Sequence, residues 1–235
     1  VRVGIPIADL CGGIFAAYGV TVALREREVS GKGQWVHTSL LEAMIYMMDF
    51  QTARWSIDHE IPGQAGNFHP TSIPTGVYST KDGHINIAVF GGKIWERFAE
   101  AMGAPEWIAD ERSKTKAARS VHRDWLNVEI EKRLLEDTSD HWIEKLNAAG
   151  VACGRINDMR DTFEEPQVKH LGMLRKVTSP RLGEQMLMGQ PVTLTRTPSN
   201  IVRSAPRRGE HTEEILAEAG YGPEELARMK AAGVF

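Results

Sequence analysis

The sequence of residues 76–103, GVYSTKDGHINIAVFGGKIWERFAEAMG, contains the strongest folding signals in the chain. Two β-rich arms flank KDG, whose Asp-Gly pair is typical of a tight hairpin turn. The second arm leads into the pair Gly91-Gly92, and a helical pattern then runs to Gly103, a typical C-cap residue. We therefore predict a β-hairpin followed by a helix.

The residues before this stretch predict two helices separated by a short strand. The first helix runs over 9–27 with Asp9 as its N-cap, and its small residues at 12–19 form a narrow flank for another backbone. QWVHTS (34–39) alternates like a strand, and Ser39 then caps a helix over LLEAMIYMMDFQTARWSI. The methionines of this second helix are expected in a core or dimer contact.

The residues after the stretch predict further helices at about 120–136 and 139–149, then a strand at 151–156. NDMRDTFEEP begins another capped helical turn, and strands follow beyond Gly172. Two amphipathic helices flank GYGPEE near the end of the chain.

Composition places the chain among proteins with an ordinary core. The 235 residues are 42 % hydrophobic and carry a net charge of −3 that is spread along the chain, without a basic block for nucleic acid. Cys11 and Cys153 predict reduced thiols of a cytoplasmic protein. The apolar stretch around 14–24 is expected to be too short for a membrane span.

Two domains are predicted, built from three segments of the chain. The segment 61–76 is rich in proline and glycine and therefore predicts a linker. We expect residues 1–60 to belong to a large domain, 61–160 to form a small α+β domain with its linker, and 161–235 to return to the large domain.

The residues alone leave the role of Gly91-Gly92 open. The pair lacks the Lys-Ser/Thr of a P-loop and the third glycine of a dinucleotide fingerprint, although Lys93 at a helix N-terminus would suit an anion. A structural strand-to-helix turn is the simplest interpretation. His37, His69 and His84 have no sequence-local partner for a triad or a metal, which favours surface or hydrogen-bonded histidines.

Four blocks in order along the chain nevertheless resemble one family. PIADLCGGIFAAYGVTVALREREVSGKGQWVHTSLLEAM, GNFHPTSIPTGVYSTKDGHINIAV, LNAAGVACGRINDMRDTFEEPQV and RRGEHTEEILAEAGYGPEELARMKAAGVF are similar to the class III CoA-transferases, the CaiB/BaiF family that includes formyl-CoA transferase. Ala152 stands where the family usually has proline. The resemblance implies an α/β fold, with part of a Rossmann-like large domain, a small α+β domain and an interlocked homodimer linked through about 58–70 and 160–175.

The resemblance also implies an activity, the transfer of CoA between an acyl-CoA and a small carboxylic acid through an aspartyl-CoA thioester. Neither a metal nor a bound cofactor is expected, and CoA is a substrate. The nucleophilic aspartate is expected upstream, so that this chain is the C-terminal two-thirds of a family member, holds no catalytic residue and is inactive alone. Neither a nucleic acid nor a membrane is an expected partner.

Two sets of substrate contacts follow from the resemblance. Gly91 and Gly92, with Phe90 and Lys93, form a candidate lid loop over the reacting acyl group. A candidate pocket is lined by Phe68, His69 and Trp95. Two alternatives stay open: an acyl-CoA racemase or isomerase, whose branch of the family carries glutamate near Gly91, and a non-catalytic acyl-CoA-binding or assembly fragment.

Overall fold

The computed structural model describes residues 3–235. The chain divides between Ile156 and Asn157 into two compact units, each a mixture of helices and strands. The predicted large-domain and small-domain boundaries stay predictions.

The first helix, α1 (Ile7–Ser30), is longer than the sequence suggested. Pro6 is its N-cap and Asp9 lies in its first turn, so the prediction of Asp9 as N-cap is wrong. The helix continues through Thr21, whose hydroxyl donates to the Ala17 carbonyl at 2.8 Å. By length and composition α1 could cross a membrane, with 11 % of its apolar window buried. The expectation that this stretch is too short to span one is therefore wrong.

The glycine flank of α1 does receive another segment of the chain, as predicted. A Cβ at Gly12 would lie 3.0 Å from the Leu40 side chain, and one at Gly19 would lie 2.9 Å from Val36. Both distances are shorter than an ordinary van der Waals contact, so glycine permits the close approach.

The segment 34–39 is not a strand, which corrects the sequence-based prediction. It runs without regular structure to α2 (Leu40–Tyr46). Alternating residues form a strand only when a neighbouring strand pairs with them, and no strand among residues 3–235 does so here. Ser39 caps α2 as predicted, because its Oγ accepts from the Glu42 amide at 3.2 Å.

The helix predicted from residue 40 onwards is also broken. α2 ends at Tyr46 and α3 (Phe50–Ser56) begins after a turn in which Asp49 has a φ of 46°. A positive φ lies outside the right-handed helical region, so the helix cannot continue through Asp49. The break matters for the site, because it sets Phe50 at the first position of α3.

The predicted hairpin is confirmed and forms part of a three-stranded antiparallel sheet. β1 (Thr75–Ser79) pairs with β2 (His84–Ala88), and β2 pairs with β3 (Ala152–Arg155). Ile85 and Ile87 on β2 are fully buried between exposed neighbours, so one face of the sheet covers the core.

Four helices and a 3₁₀ turn pack on this sheet. They are α4 (Gly92–Ala101), the turn Pro105–Ile108, α5 (Lys116–Val121), α6 (Arg123–Leu134) and α7 (Ser139–Ala148). The single helix predicted at 120–136 is thus two helices that meet at His122. Large buried side chains of the core include Trp95, Trp107, Trp142, Tyr78, Phe98, Leu126, Ile130, Leu134 and Leu146.

The second unit contains two short helix pairs and a hairpin. α8 (Met159–Glu164) and α9 (Pro166–Leu171) precede the antiparallel strands β4 (Leu174–Ser179) and β5 (Gly183–Met188). α10 (Thr212–Glu218) and α11 (Pro223–Ala231) are the last two helices and flank GYGPEE as predicted, and Pro223 is the first residue of α11.

The hairpin turn is joined to the start of α7 by one carboxylate. Asp82 Oδ1 accepts from the Ser139 amide at 2.7 Å and from the Ser139 hydroxyl at 2.8 Å. Thr80 Oγ1 lies 2.7 Å from the same hydroxyl. The two hydrogen bonds from Ser139, together with one that Thr80 Oγ1 donates to Asp82 Oδ1 at 3.3 Å, hold the pKa of the Asp82 carboxyl below its ordinary value of 3.8.

Neutralising Asp82 is expected to destabilise the protein at neutral pH. A carboxyl whose pKa is lower in the folded state stabilises the fold above its unfolded pKa, and this contribution is lost as the pH falls through the folded pKa. Asp82→Asn should therefore lower the Tm at pH 7, and the difference from wild type should disappear as the pH falls from about 4. Thermal unfolding at several pH values measures this, with the exposed Glu96→Gln as control. A difference that is constant with pH contradicts it.

Candidate functional site

Two loops meet beside the open end of the β1–β2 hairpin. The first, residues 67–74, enters β1, and the second, residues 89–91, joins β2 to α4. The Val89 amide donates to Thr75 Oγ1 at 3.1 Å, and the Ser72 hydroxyl donates to the Val89 carbonyl at 3.3 Å. The loops are thus fastened to one another by hydrogen bonds.

A buried arginine anchors the first loop to the helices. Arg119 is 6 % exposed, and its Nε donates to the Ile73 carbonyl at 2.8 Å while Nη1 donates to the Ser113 carbonyl at 2.8 Å. Its guanidinium lies 4.6 Å from the centre of the Trp95 ring. Burial lowers the pKa of Arg119. The two carbonyl oxygens and the face of the Trp95 ring replace the water that the guanidinium loses on burial.

His69 sits in the same loop and is held by its backbone as well as its ring. Its carbonyl accepts from Arg123 Nη2 at 2.8 Å, and its amide donates to the Thr75 carbonyl at 2.8 Å. Its Nδ1 accepts from the amides of Thr71 at 3.2 Å and Ser72 at 2.9 Å. Because Nδ1 is an acceptor, the hydrogen of the neutral ring lies on Nε2.

Two aromatic rings flank the imidazole of His69. Phe50, from the start of α3, stacks on it with a centroid distance of 5.6 Å and an angle of 8°. Phe90, from the second loop, meets it edge to face at 6.1 Å and is 56 % exposed. The half-buried histidine is therefore enclosed on two sides by apolar surface.

The glycine pair follows directly after Phe90 and starts α4. Gly91 is the N-cap with φ 89° and ψ 166°, a conformation that is essentially restricted to glycine. Gly92 is the first residue of the helix, and no side chain caps the amides of this first turn. Lys93 is exposed and forms no ion pair within residues 3–235.

The predicted site residues fall into two groups. His69, Phe90 and Gly91 lie on the two joined loops, and Gly92 and Lys93 follow directly as the first residues of α4. Phe68 and Trp95 instead contact the core.

The placement of Trp95 corrects its assignment to a pocket. Trp95 is 2 % exposed and stacks on Trp107 at 6.3 Å, so its ring has no surface to offer a substrate. Phe68 packs edge to face on Tyr78 at 5.4 Å and covers Gly76, where a Cβ would lie 2.4 Å from the Phe68 ring.

Sequence reasoning missed three residues of this arrangement. Phe50 lies on a helix that the sequence did not separate from its neighbour, and its distance of nineteen positions from His69 carries no periodic signal. Arg119 and Arg123 lie in KAARSVHRDW, a polar stretch that gave no indication of a buried guanidinium.

Other reactive side chains offer no second centre. The described residues contain no cluster of three or more His, Cys, Asp or Glu side chains able to hold a metal ion. Cys11 and Cys153 are free thiols, and burial raises the pKa of Cys153 to about 11. Cys153 is therefore a neutral thiol at physiological pH rather than a nucleophile.

Comparison with known proteins identifies the family. Residues 1–212 match the model of CoA-transferase family III, so the chain belongs to this family, as the four sequence blocks predicted. A crystal structure of a CaiB/BaiF family protein from Brucella suis superposes with a TM-score of 0.75 at 27 % identity, covering 93 % of this chain and 56 % of that one. The mixed helix-and-strand fold expected from the resemblance is confirmed.

Two curated relatives are CoA-transferases named after different acids. Succinyl-CoA:mesaconate CoA-transferase of Haloarcula hispanica is 32 % identical over 94 % of this chain and 55 % of its own length. Human succinyl-CoA:glutarate CoA-transferase is 27 % identical over 100 % of this chain and 54 % of its own length. The chain thus spans about half the length of its relatives, less than the two-thirds expected.

The two glycines should respond differently to alanine. Gly91→Ala places a Cβ on a φ of 89°, which should cost about 1–3 kcal/mol in the free energy of unfolding. A Cβ on Gly92 meets nothing within 4 Å and its φ is ordinary, so Gly92→Ala should be neutral or stabilise by up to about 1 kcal/mol. Urea unfolding measures both, and equal losses would contradict the Gly91 geometry.

Proposed function

We propose that this chain is part of an enzyme that transfers CoA from an acyl-CoA to a small carboxylic acid. The match of residues 1–212 to CoA-transferase family III carries the proposal, and it is supported by relatives named for CoA transfer to mesaconate and to glutarate. CoA is a substrate in this scheme, and no further cofactor is assigned. The proposed assembly is a homodimer of the interlocked family type, in the cytoplasm.

The proposed chemistry proceeds through a carboxylate that lies ahead of residue 1. An aspartate oxygen attacks the acyl-CoA carbonyl, the C–S bond breaks, and CoA thiolate leaves a mixed anhydride. The thiolate then attacks the aspartyl carbonyl, releasing the donor acid and forming aspartyl-CoA. The acceptor carboxylate attacks this thioester, and the released thiolate finally attacks the new acyl carbonyl and frees the aspartate. No net proton is consumed.

This chain supplies the loop that covers the reacting acyl group. An anhydride hydrolyses readily, so the site must exclude water while it lasts. Gly91 and Gly92 have no Cβ to keep the backbone away from an acyl group, and Phe90 beside them presents an exposed ring. The uncapped amides at the start of α4 and the nearby Lys93 would favour negative charge there.

Racemisation is the alternative that the glycine pair disfavours. A carbanion mechanism needs a base at the α-carbon, and Gly91 stands where the resemblance puts glutamate in the racemase branch. We assign no base to this loop for that reason.

CoA exchange tests the proposal directly. The purified full-length protein, incubated with succinyl-CoA and ¹³C-labelled mesaconate or glutarate, should form labelled acyl-CoA and an aspartyl-CoA adduct visible by intact mass. Loss of α-deuterium from a 2-methylacyl-CoA, without exchange, would assign racemisation instead. Saturable CoA binding without either reaction would assign a binding module and refute the transferase.

If the loop shields the acyl group from water, a bulky residue at position 92 should change the ratio of hydrolysis to transfer. Gly92→Val should leave the fold intact, because a Cβ there meets no neighbour, yet crowd the acyl group. Transfer should fall about tenfold or more while hydrolysis of acyl-CoA rises relative to transfer. The exposed Lys81→Ala, on the hairpin turn, serves as control. An unchanged ratio of hydrolysis to transfer would show that the loop is a passive turn.

A further inference from the structure

His69 divides its two ring nitrogens between different tasks. Nδ1 accepts two backbone amides, from Thr71 and Ser72, and so shapes the loop. Nε2 carries the hydrogen, and it donates to no atom among residues 3–235. A loop that needed only an acceptor at this position could use the side-chain oxygen of asparagine or aspartate, which commonly closes such turns. The structural role of Nδ1 therefore does not account for the Nε2–H group.

The aromatic rings around the imidazole limit the directions from which an acceptor can reach the Nε2–H group. Phe50 stacks on the imidazole and Phe90 meets it edge to face, so water reaches the ring from fewer sides. A hydrogen bond beside apolar surface is stronger than one in water, and strongest when the acceptor is charged. The carbonyl of the same residue is fastened by Arg123, which limits movement of the ring away from this position.

The tautomer also limits the chemistry. Nδ1 is occupied as an acceptor and Nε2 already carries a hydrogen, so the neutral ring offers no free lone pair to a substrate proton. His69 is thus suited to donate to an oxygen atom and unsuited to remove a proton from carbon.

We propose that His69 Nε2–H binds a carboxylate oxygen of the acid substrate, whose short carbon skeleton packs against Phe50 and Phe90. This inference rests on the proposed CoA transfer and specifies its substrate as a small carboxylic acid with apolar carbons next to the bound carboxylate. The rings of Phe50 and Phe90 form the side walls.

Two substitutions of His69 test the roles of its two ring nitrogens separately. His69→Asn keeps an acceptor near the position of Nδ1 but removes the distal donor, whereas His69→Gln places an amide donor near the position of Nε2. His69→Asn should raise the KM for the acid about tenfold to a hundredfold, with little change in the KM for acyl-CoA. His69→Gln should recover part of this loss. His84→Asn, at an exposed histidine of β2, should match wild type.

Nuclear magnetic resonance of ¹⁵N-histidine-labelled full-length wild type provides a readout that needs neither activity nor variants. The His69 signals should show a hydrogen on Nε2 and should shift saturably when succinate is added. A shift without any CoA exchange would refute the proposed function and, with it, the assignment of the bound carboxylate to an acid substrate. Exchange with an unchanged KM in His69→Asn, or a hydrogen on Nδ1, would overturn the inference and leave the function standing. If His69→Asn fails to fold, the wild-type titration decides: absence of a succinate-dependent shift refutes the proposal.

Discussion

The contact of Arg119 with the carbonyl groups of Ile73 and Ser113 is the interaction on which the site depends. A guanidinium that is 6 % exposed can be tolerated only where carbonyl oxygens and an aromatic face replace its water, and Trp95 supplies that face. Arg119 thereby joins the loop before β1 to the helical layer. Arg123, four residues later on α6, extends the same anchoring to the carbonyl of His69.

Because of this anchoring, the two loops of the site differ in how firmly they are held. The loop at 67–74 is held by arginines from the helices and by its own histidine, so its geometry is set before any ligand arrives. The loop at Phe90–Gly92 is fastened mainly through Val89, and beyond that point its residues are exposed. A fixed donor next to a less restrained glycine segment suits the proposed CoA transfer, in which an acid is bound firmly while an acyl group is admitted and released.

Local signals predicted much of the fold. The Asp-Gly turn, the Ser39 cap and the glycine flank of α1 were readable because each depends on neighbouring residues or on a single close contact. The strand predicted at 34–39 failed because strand formation depends on a pairing partner, which local alternation cannot report. Asp49, which breaks the second helix, has a positive φ that the local sequence pattern does not indicate.

The site was less predictable than the fold, for a related reason. The family blocks pointed to the glycine pair and to His69, but the contacts that define their roles come from distant positions. Neither Phe50 nor Arg119 lies in a local sequence pattern that indicates its contacts. The sequence around Trp95 likewise does not distinguish it from an exposed tryptophan. Burial of a side chain is decided by the whole packed unit, so only the structure separates Trp95 in the core from Phe90 at the surface.

We propose that these two loops bind the acyl group of a CoA-transfer reaction. A crystal structure of the full-length protein with a non-hydrolysable acyl-CoA analogue and a small carboxylic acid tests it most directly. We expect a carboxylate oxygen within hydrogen-bond distance of His69 Nε2, with Gly91 and Gly92 against the acyl group. An acyl group bound elsewhere, with His69 and Phe90 still facing solvent, would contradict it.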